Sequence, residues 1–358
     1  MDGAFALYRY PFSSEYTAMR QECGKPLTLS SCNDLVGKSG FAFAPFHPTA
    51  EHPILVLTPD KVERHKVKTN VDFDETPFYN RSVEDERLRY KQTFACFHNK
   101  LTSGEFSKIV LSRYSDESAG ANLDCEKLFM RACVLYPRMF IALVSMPQCG
   151  TWLMATPEIL LEESDGKWHT MALAGTMRID ETKDTDICMA VRKKNGNISE
   201  WSIKNIREQE YVSNYIKRCL QHYSSIYEAT EPYTVRAGTV KHIRSDFYFD
   251  IDDKLLGELI DALHPTPAVC GTPKDDTYAF IRQNEAYDRK YYSGFAGPLC
   301  CDEGTHLYVT LRCMEINNDK CRLYAGGGLL ENSELSDEWL ETEAKMDTMR
   351  RCLAIKRI

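Results

Sequence analysis

The sequence predicts an α+β protein with mostly antiparallel sheets in the core and helices outside. Three observations predict it. Short apolar runs of strand length recur with tight turns between them, at 151–155, 159–162 and 168–173, cornered by Thr156-Pro157-Glu158 and Asp165-Gly166. Long helical stretches stand between groups of strands and do not follow each strand in turn. No continuous βαβαβ series, the mark of a parallel sheet, is visible.

In chain order, 40–46 (GFAFAPF) and 53–57 (PILVL) read as strands, and the polar stretch 58–80 reads as loop or linker. Residues 84–101 read as an amphipathic helix: an acidic first turn precedes Leu88, Phe94, Ala95 and Phe97, and Gly104 breaks the pattern. A short β-branched strand follows at 108–112, then a helix at 125–135. The apolar run 139–146 is long enough for a buried strand. A helix starts near Ser199 and carries Glu208 on the same stripe as Val212, Tyr215 and Cys219. That carboxylate faces the interior, where it needs a cation or a metal.

Residues 255–263 form a helix ended by His264-Pro265-Thr266-Pro267, since proline lacks the N–H and clashes with the preceding turn. Another short helix covers 275–284. Strands 305–316 and 320–324 form a hairpin around Asn317-Asn318-Asp319. Three consecutive glycines, 326–328, come next. Such a run belongs where main chain must approach a ligand or another backbone, or adopt positive φ. A final helix, capped by Ser336 or Asp337, opens on Glu338 and Glu341. The expected division is 1–82, a shortened N-terminal part packed on the same fold, and 83–358, the catalytic region, together one structural domain.

Composition narrows the class. A formal net charge of −8 without a Lys/Arg run excludes nucleic acid as a default partner. The 14 cysteines are scattered with no CxxC pair, so neither a zinc nor a redox motif is present. The N-terminus lacks a basic segment followed by a long apolar run, and nothing approaches the roughly 18 apolar residues of a membrane span. The expectation is a reduced, cytoplasmic, soluble protein that binds no membrane.

The chemistry is carried by charge. The glycine run lacks GxGxxG or GK[ST] spacing, and there is no GxSxG elbow. Glu208 and Glu210 stand near the start of one helix, Glu338 and Glu341 at the start of another. Carboxylates without histidine suit a hard cation such as Mg²⁺, although acids in a first helical turn are also ordinary helix electrostatics. Lys108, Arg312 and Lys345 are the cations available to a carboxylated substrate, and the fork of Arg312 suits a bidentate grip. Glu341 and Lys345, four apart, would also make a plain surface salt bridge.

Together, SKIVLSR (107–113), ATPEILLE (155–162), LAGTMR (173–178), KNIREQEYV (204–212), LHPTPAVCGTP (263–273), YDRKYYSGFAGPL (287–299), LRCMEI (311–316), LYAGGGLL (323–330) and EWLETEAK (338–345) resemble the chorismate-utilising enzymes. The segments keep the family's order over about three quarters of the chain. The resemblance implies the fold of that family, shared with anthranilate synthase component I, and a Mg²⁺-dependent chorismate site. Lys108 matches the lysine that activates water in isochorismate and salicylate synthases, where amine-using members have glutamine. HPTPAV, with His264 and Ala268, resembles the isochorismate synthases.

The implied function is therefore an isomerase that adds water at C2 of chorismate and expels the C4 hydroxyl, for menaquinone or siderophore biosynthesis. Salicylate synthesis, or chorismate binding without catalysis, is the alternative. Of the implied catalytic residues, Lys108 is the base, Glu158 the acid, and His264 a hydrogen-bond partner near the departing hydroxyl. Glu208 and Glu341 are the implied magnesium ligands, with Glu210 and Glu338 supporting. Gly175 and Thr176 lie against the ring carboxylate, Arg312, Lys345 and Gly326 hold the enolpyruvyl carboxylate, and Ala268 lines the substrate. On this resemblance Glu341 and Lys345 serve metal and substrate and not each other. Gln209 departs from the family's usual histidine. A monomer without a glutaminase subunit is expected.

Overall fold

The computed structural model describes residues 3–71, 83–118, 123–164, 166–179, 201–224, 226–237, 240–318 and 320–353. The expected helix start near Ser199, and part of the expected loop at 58–80, fall outside them. The chain opens with β1 (Ala4–Arg9), β2 (Glu15–Gln21), β3 (Leu27–Leu29), β4 (Gly40–Ala44), β5 (Ile54–Leu57) and β6 (Lys61–Lys66). Helix α1 (Glu84–Thr102), β7 (Lys108–Ser118) and α2 (Cys125–Leu135) follow, then a meander of β8 (Phe140–Met146), β9 (Gly150–Thr156), β10 (Ile159–Ser164) and β11 (Lys167–Arg178). Next come α3 (Ile203–Tyr223), β12 (Tyr227–Ala229), β13 (Tyr233–Ala237), β14 (Val240–Phe249), α4 (Leu256–Leu263), β15 (Gly271–Thr272) and α5 (Lys274–Asn284). The chain closes through β16 (Phe295–Leu299), β17 (His306–Val309), β18 (Cys313–Asn317), β19 (Lys320–Leu329) and α6 (Leu335–Cys352).

These strands make two antiparallel sheets. One runs β15-β7-β19-β18-β9-β8-β1-β2-β6; the other runs β12-β14-β11-β10-β17-β16-β4-β5-β3, with β13 also on β14. The sheets face each other across an aromatic core that includes Phe41, Phe43, Phe140, Trp152, Tyr291 and Tyr308. Helices α2 and α6 cover the outside of the first sheet, and α3 and α4 the outside of the second.

Both faces of the central strands are thus buried. On β8, Phe140, Ala142 and Val144 point to the inter-sheet core, while Ile141 and Leu143 point to the helices. This is why 139–146 reads as an unbroken apolar run with no period-2 alternation.

Three sequence expectations change here. Residues 61–66 are not loop but the edge strand β6. Only Glu63 there is even half-buried, so no apolar signal marks the strand. The single strand expected at 305–316 is two: β17 lies in one sheet and β18 in the other. The chain crosses between them at Arg312, which takes a left-handed φ of 45°. The three glycines form the end of β19, in register with β7 so that Gly326 faces Ser112 and Gly328 faces Val110. None of the three has positive φ; their use lies in close approach alone. At the start of α6 the cap residue is Glu334, ahead of the expected Ser336 or Asp337.

Candidate active site

A cavity opens where the chain passes from one sheet to the other. β9 leaves the first sheet through Pro157-Glu158 to become β10 in the second, and β17 returns through Leu311-Arg312 to β18. The two crossings are stitched together by Val309 N donating to Glu158 O (2.9 Å) and Ala155 N to Arg312 O (3.1 Å). They deliver Glu158 and Arg312 into one cavity that opens to solvent. Gly175 and Thr176 of β11, Glu208 of α3, His242 of β14, Ala268, Tyr292, Gly326 and Gly328 of β19, and Lys345 of α6 also line it.

Local structure explains each placement. A β-bulge between Ala174 and Thr176 puts Gly175 at φ 72°. A Cβ there would come 3.0 Å from Asn205 O, so the glycine lets α3 lie against the strand. Ser202 caps α3 by accepting from Asn205 N, and Glu208 follows within two turns, facing inward. Glu210, two residues further and about 200° around the helix, is exposed and outside the cavity. The expectation that it supports a metal is corrected by that rotation. Gln209 donates to Ala172 O at 3.1 Å, which ties α3 to β11.

Arg312 and Lys345 are the cations among the lining residues. Arg312 is buried, and its Nη2 donates to His242 Nε2 at 3.0 Å, while Nη1 has no partner. Because arginine only donates and a carbonyl only accepts, His242 must be neutral, with Nδ1–H on Gly175 O at 2.9 Å. Burial first, then the Arg312 and Lys345 charges, hold its pKa well below the usual histidine range. Burial likewise lowers the Arg312 guanidinium to about 10. Lys345 Nζ donates to Gly326 O at 2.7 Å and also lies 2.7 Å from Glu341 Oε1, so the expected separation of Glu341 from Lys345 does not hold.

Glu158 lines the same cavity. Burial pushes its carboxyl up to about 8, against the pull of Lys108, Lys345 and Arg312. Lys108 lies just behind the wall and is fully buried. Its Nζ is 3.1 Å from Glu208 Oε1 without a well-directed hydrogen bond.

The carboxylates gather under the glycine run. A Cβ on Gly327 would come 2.9 Å from Glu338 Oε2 and 3.6 Å from Glu341 Oε1, and one on Gly328 would overlap the Glu208 carboxylate. Glu338 is 1% exposed, accepts from Ser333 Oγ (2.8 Å), pairs with Lys204, and has an unpartnered Oε2. Burial and the neighbouring Glu341 push its carboxyl up. On Glu341 burial acts in the same direction, but Lys345, Lys204 and the Thr176 hydroxyl together outweigh it and hold the group down.

Each of Glu208, Glu338 and Glu341 thus carries one lysine, and no three potential ligands among the described residues converge on one point. The all-oxygen set, the bare backbone beside it and the orphaned Glu338 Oε2 fit a hard divalent cation.

The sequence-predicted residues Glu158, Gly175, Thr176, Glu208, Ala268, Arg312, Gly326 and Lys345 share this cavity. His264 is not among its lining residues: its Nε2 is 3.1 Å from Pro45 O and its ring stands edge-on to Phe295. Burial, with Lys274 nearby, lowers its pKa to about 3, so it is a neutral donor bracing a loop. Sequence reasoning missed His242 and Tyr292. A single histidine in the strand VKHIRSDF and one tyrosine among several in YDRKYYSG carry no local signal that separates them from core residues.

The chain is 29% identical over 272 residues to isochorismate synthase EntC of Escherichia coli K12, a match spanning 75% of this chain and 68% of that protein. It is 31% identical over 269 residues to isochorismate synthase DhbC of Bacillus subtilis, 72% of this chain and 66% of that one. The fold superposes on the crystal structure of DhbC from Bacillus anthracis with a TM-score of 0.82 at 23% identity, covering 99% and 97% of the two chains. With the family model for chorismate-binding enzymes matching residues 54–354, the chain belongs to that family.

Proposed function

We propose that the chain is a Mg²⁺-dependent isochorismate synthase, acting in the cytoplasm to supply menaquinone or siderophore formation. The observation that carries the reading is a cavity lined by Glu158, whose carboxyl burial pushes up to about 8, by Arg312 and by Lys345, with the buried amine of Lys108 just behind its wall. Water adds to C2 of the ring while the C4 hydroxyl departs. Lys108 takes the proton of the attacking water. The C1–C2 double bond moves to C1–C6, the C5–C6 double bond moves to C4–C5, and the C4–O bond breaks. Glu158 gives its proton to that oxygen, so one water enters and one leaves. A carboxyl held near 8 remains protonated at neutral pH, as this role needs.

Arg312 Nη1 and Lys345 receive the enolpyruvyl carboxylate, and the neutral His242 keeps the guanidinium aimed. Gly175 and Thr176 lie against the ring carboxylate. Glu208, Glu338 and Glu341 would hold the ion, which supplies Lewis-acid charge at that carboxylate. Incubation of the purified protein with chorismate and Mg²⁺, with products resolved by chromatography, tests the reading. Isochorismate is expected, and EDTA should stop its formation. Salicylate with pyruvate, or no turnover, overturns it.

A further inference from the structure

Behind the cavity wall lies a charged pair that the mechanism leaves unused. Arg289 is 2% exposed, and its guanidinium stacks 4.4 Å from the Phe46 ring centre. Its Nε and Nη2 grip the two oxygens of Glu285 at 2.5 and 2.8 Å. Nη1 donates to Val269 O at 2.8 Å, and Nη2 also donates to Val110 O at 2.9 Å. Glu285 Oε1 in turn accepts from Ser112 N at 2.9 Å and Ser112 Oγ at 2.7 Å. Neither residue lines the cavity, yet Val110 and Val269 both do.

The strand pattern explains why these contacts exist. β15 is two residues long and pairs Thr272 with Lys108 and Gly271 with Ile109. One further bond, Val110 N to Cys270 O at 2.7 Å, ends the ladder, because the chain then turns away so that Val269 and Ala268 become cavity wall. On an antiparallel edge, Val110 O and Ser112 N would next meet a donor and an acceptor from a neighbouring strand. Here the donor is Arg289 and the acceptor is Glu285.

We propose that the Glu285–Arg289 pair is a side-chain substitute for the missing strand, and that Arg289 is a positioning residue for the reaction. It fixes the segment bearing Lys108 and Val110 against the Ala268–Val269 wall. The catalytic part of this inference rests on the isochorismate synthase reading; the structural part does not. Lysine at 289 cannot reach Glu285, Val110 O and Val269 O together, because its ammonium is a single point where guanidinium is a planar fork.

In the full-length Arg289→Lys protein, hydrogen exchange should rise in peptides covering 107–113 and 265–272 and stay at the wild-type level elsewhere. With chorismate and Mg²⁺, kcat should fall about 100-fold while KM shifts by less than about threefold, as for a misplaced reacting group. Wild-type exchange in both segments, or a rise spread over the whole molecule, overturns the proposal. If Arg289→Lys does not fold, Ser112→Ala loosens Glu285 more gently and must show the same two segments; unchanged exchange there overturns the proposal equally. Should the wild type fail to turn over chorismate, the exchange pattern still decides the positioning role, so the two failures are distinguishable.

Discussion

Two buried clusters of acids and bases, one at the cavity where the chain crosses between the sheets and one on the second sheet, differ in one respect. At the cavity, Arg312 Nη1, Glu338 Oε2 and Lys108 Nζ lack well-directed hydrogen bonds although all are buried. On the second sheet, His169 Nδ1 lies 2.7 Å from Glu162 and its Nε2 lies 2.8 Å from Asp246. Asp246 also accepts from Arg244 and Tyr233, and Glu162 pairs with His306. Every charge in that cluster has an opposite partner, so it needs nothing from outside. The cavity holds charge that protein alone leaves incompletely matched, a costly state unless a ligand completes it. Burial of charge alone therefore does not distinguish the cavity from the scaffold around His169.

The largest effect that tests this contrast is Lys108→Ala. It should lower turnover of chorismate at least about 1,000-fold while the circular dichroism spectrum is unchanged, as loss of a general base does. Retained activity would remove Lys108 from the mechanism. Glu158→Gln should cost roughly 100-fold and also change the pH profile. In the wild type kcat should fall as pH rises through about 8, where the acid would lose its proton. The variant's residual rate should lack that limb, and persistence of the limb would assign it to another group. Because burial raises this carboxyl, the native state loses stability as pH climbs from the ordinary 4.5 toward about 8, and the Gln variant should lose less over that interval.

Arg312→Gln should act on binding, raising KM about 30-fold, the scale of one charge-assisted hydrogen bond. A change in kcat alone would place the guanidinium elsewhere in the reaction. The smallest kinetic effect belongs to the satisfied cluster. His169→Gln should leave kcat and KM within about twofold and cost about 3 kcal/mol of stability, since it leaves two carboxylates short of a partner. Urea titration measures it. Two carboxylates hold His169 protonated against burial, so its contribution is complete below about 6.5 and fades as pH rises through its raised value. Burial acts upward on Glu162, but hydrogen bonds from His169 and His306 bring it down to about 2, so its contribution holds above about 4.5 and is lost as pH falls through about 2. The wild-type advantage over the variant should therefore peak between these limits.

Much of the scaffold is legible along the chain. The helices at 84–102, 125–135 and 256–263 show themselves through acidic first turns, apolar stripes and prolines that end them. β8 and β9 show themselves through apolar runs too short for helices. β6 does not, because an edge strand wet on both faces has the composition of a loop. The break at Arg312 does not either, because nothing in VTLRCMEI says that the next partner lies in another sheet.

The sequence by itself determined the residue types of the site and their order, from the SKIVLSR segment to the two glutamates and the lysine of the last helix. It could do so because acids, cations and bare glycines at fixed spacings are local facts. Which of these residues meet depends on how the sheets and helices pack. That packing turned Glu210 outward and seated His264 on Pro45 O, and it brought His242 to Arg312 across 70 residues. It also sealed Lys108 behind Glu208. Those outcomes depend on the pairing of distant strands and the angle of one helix against a sheet, which no local pattern encodes.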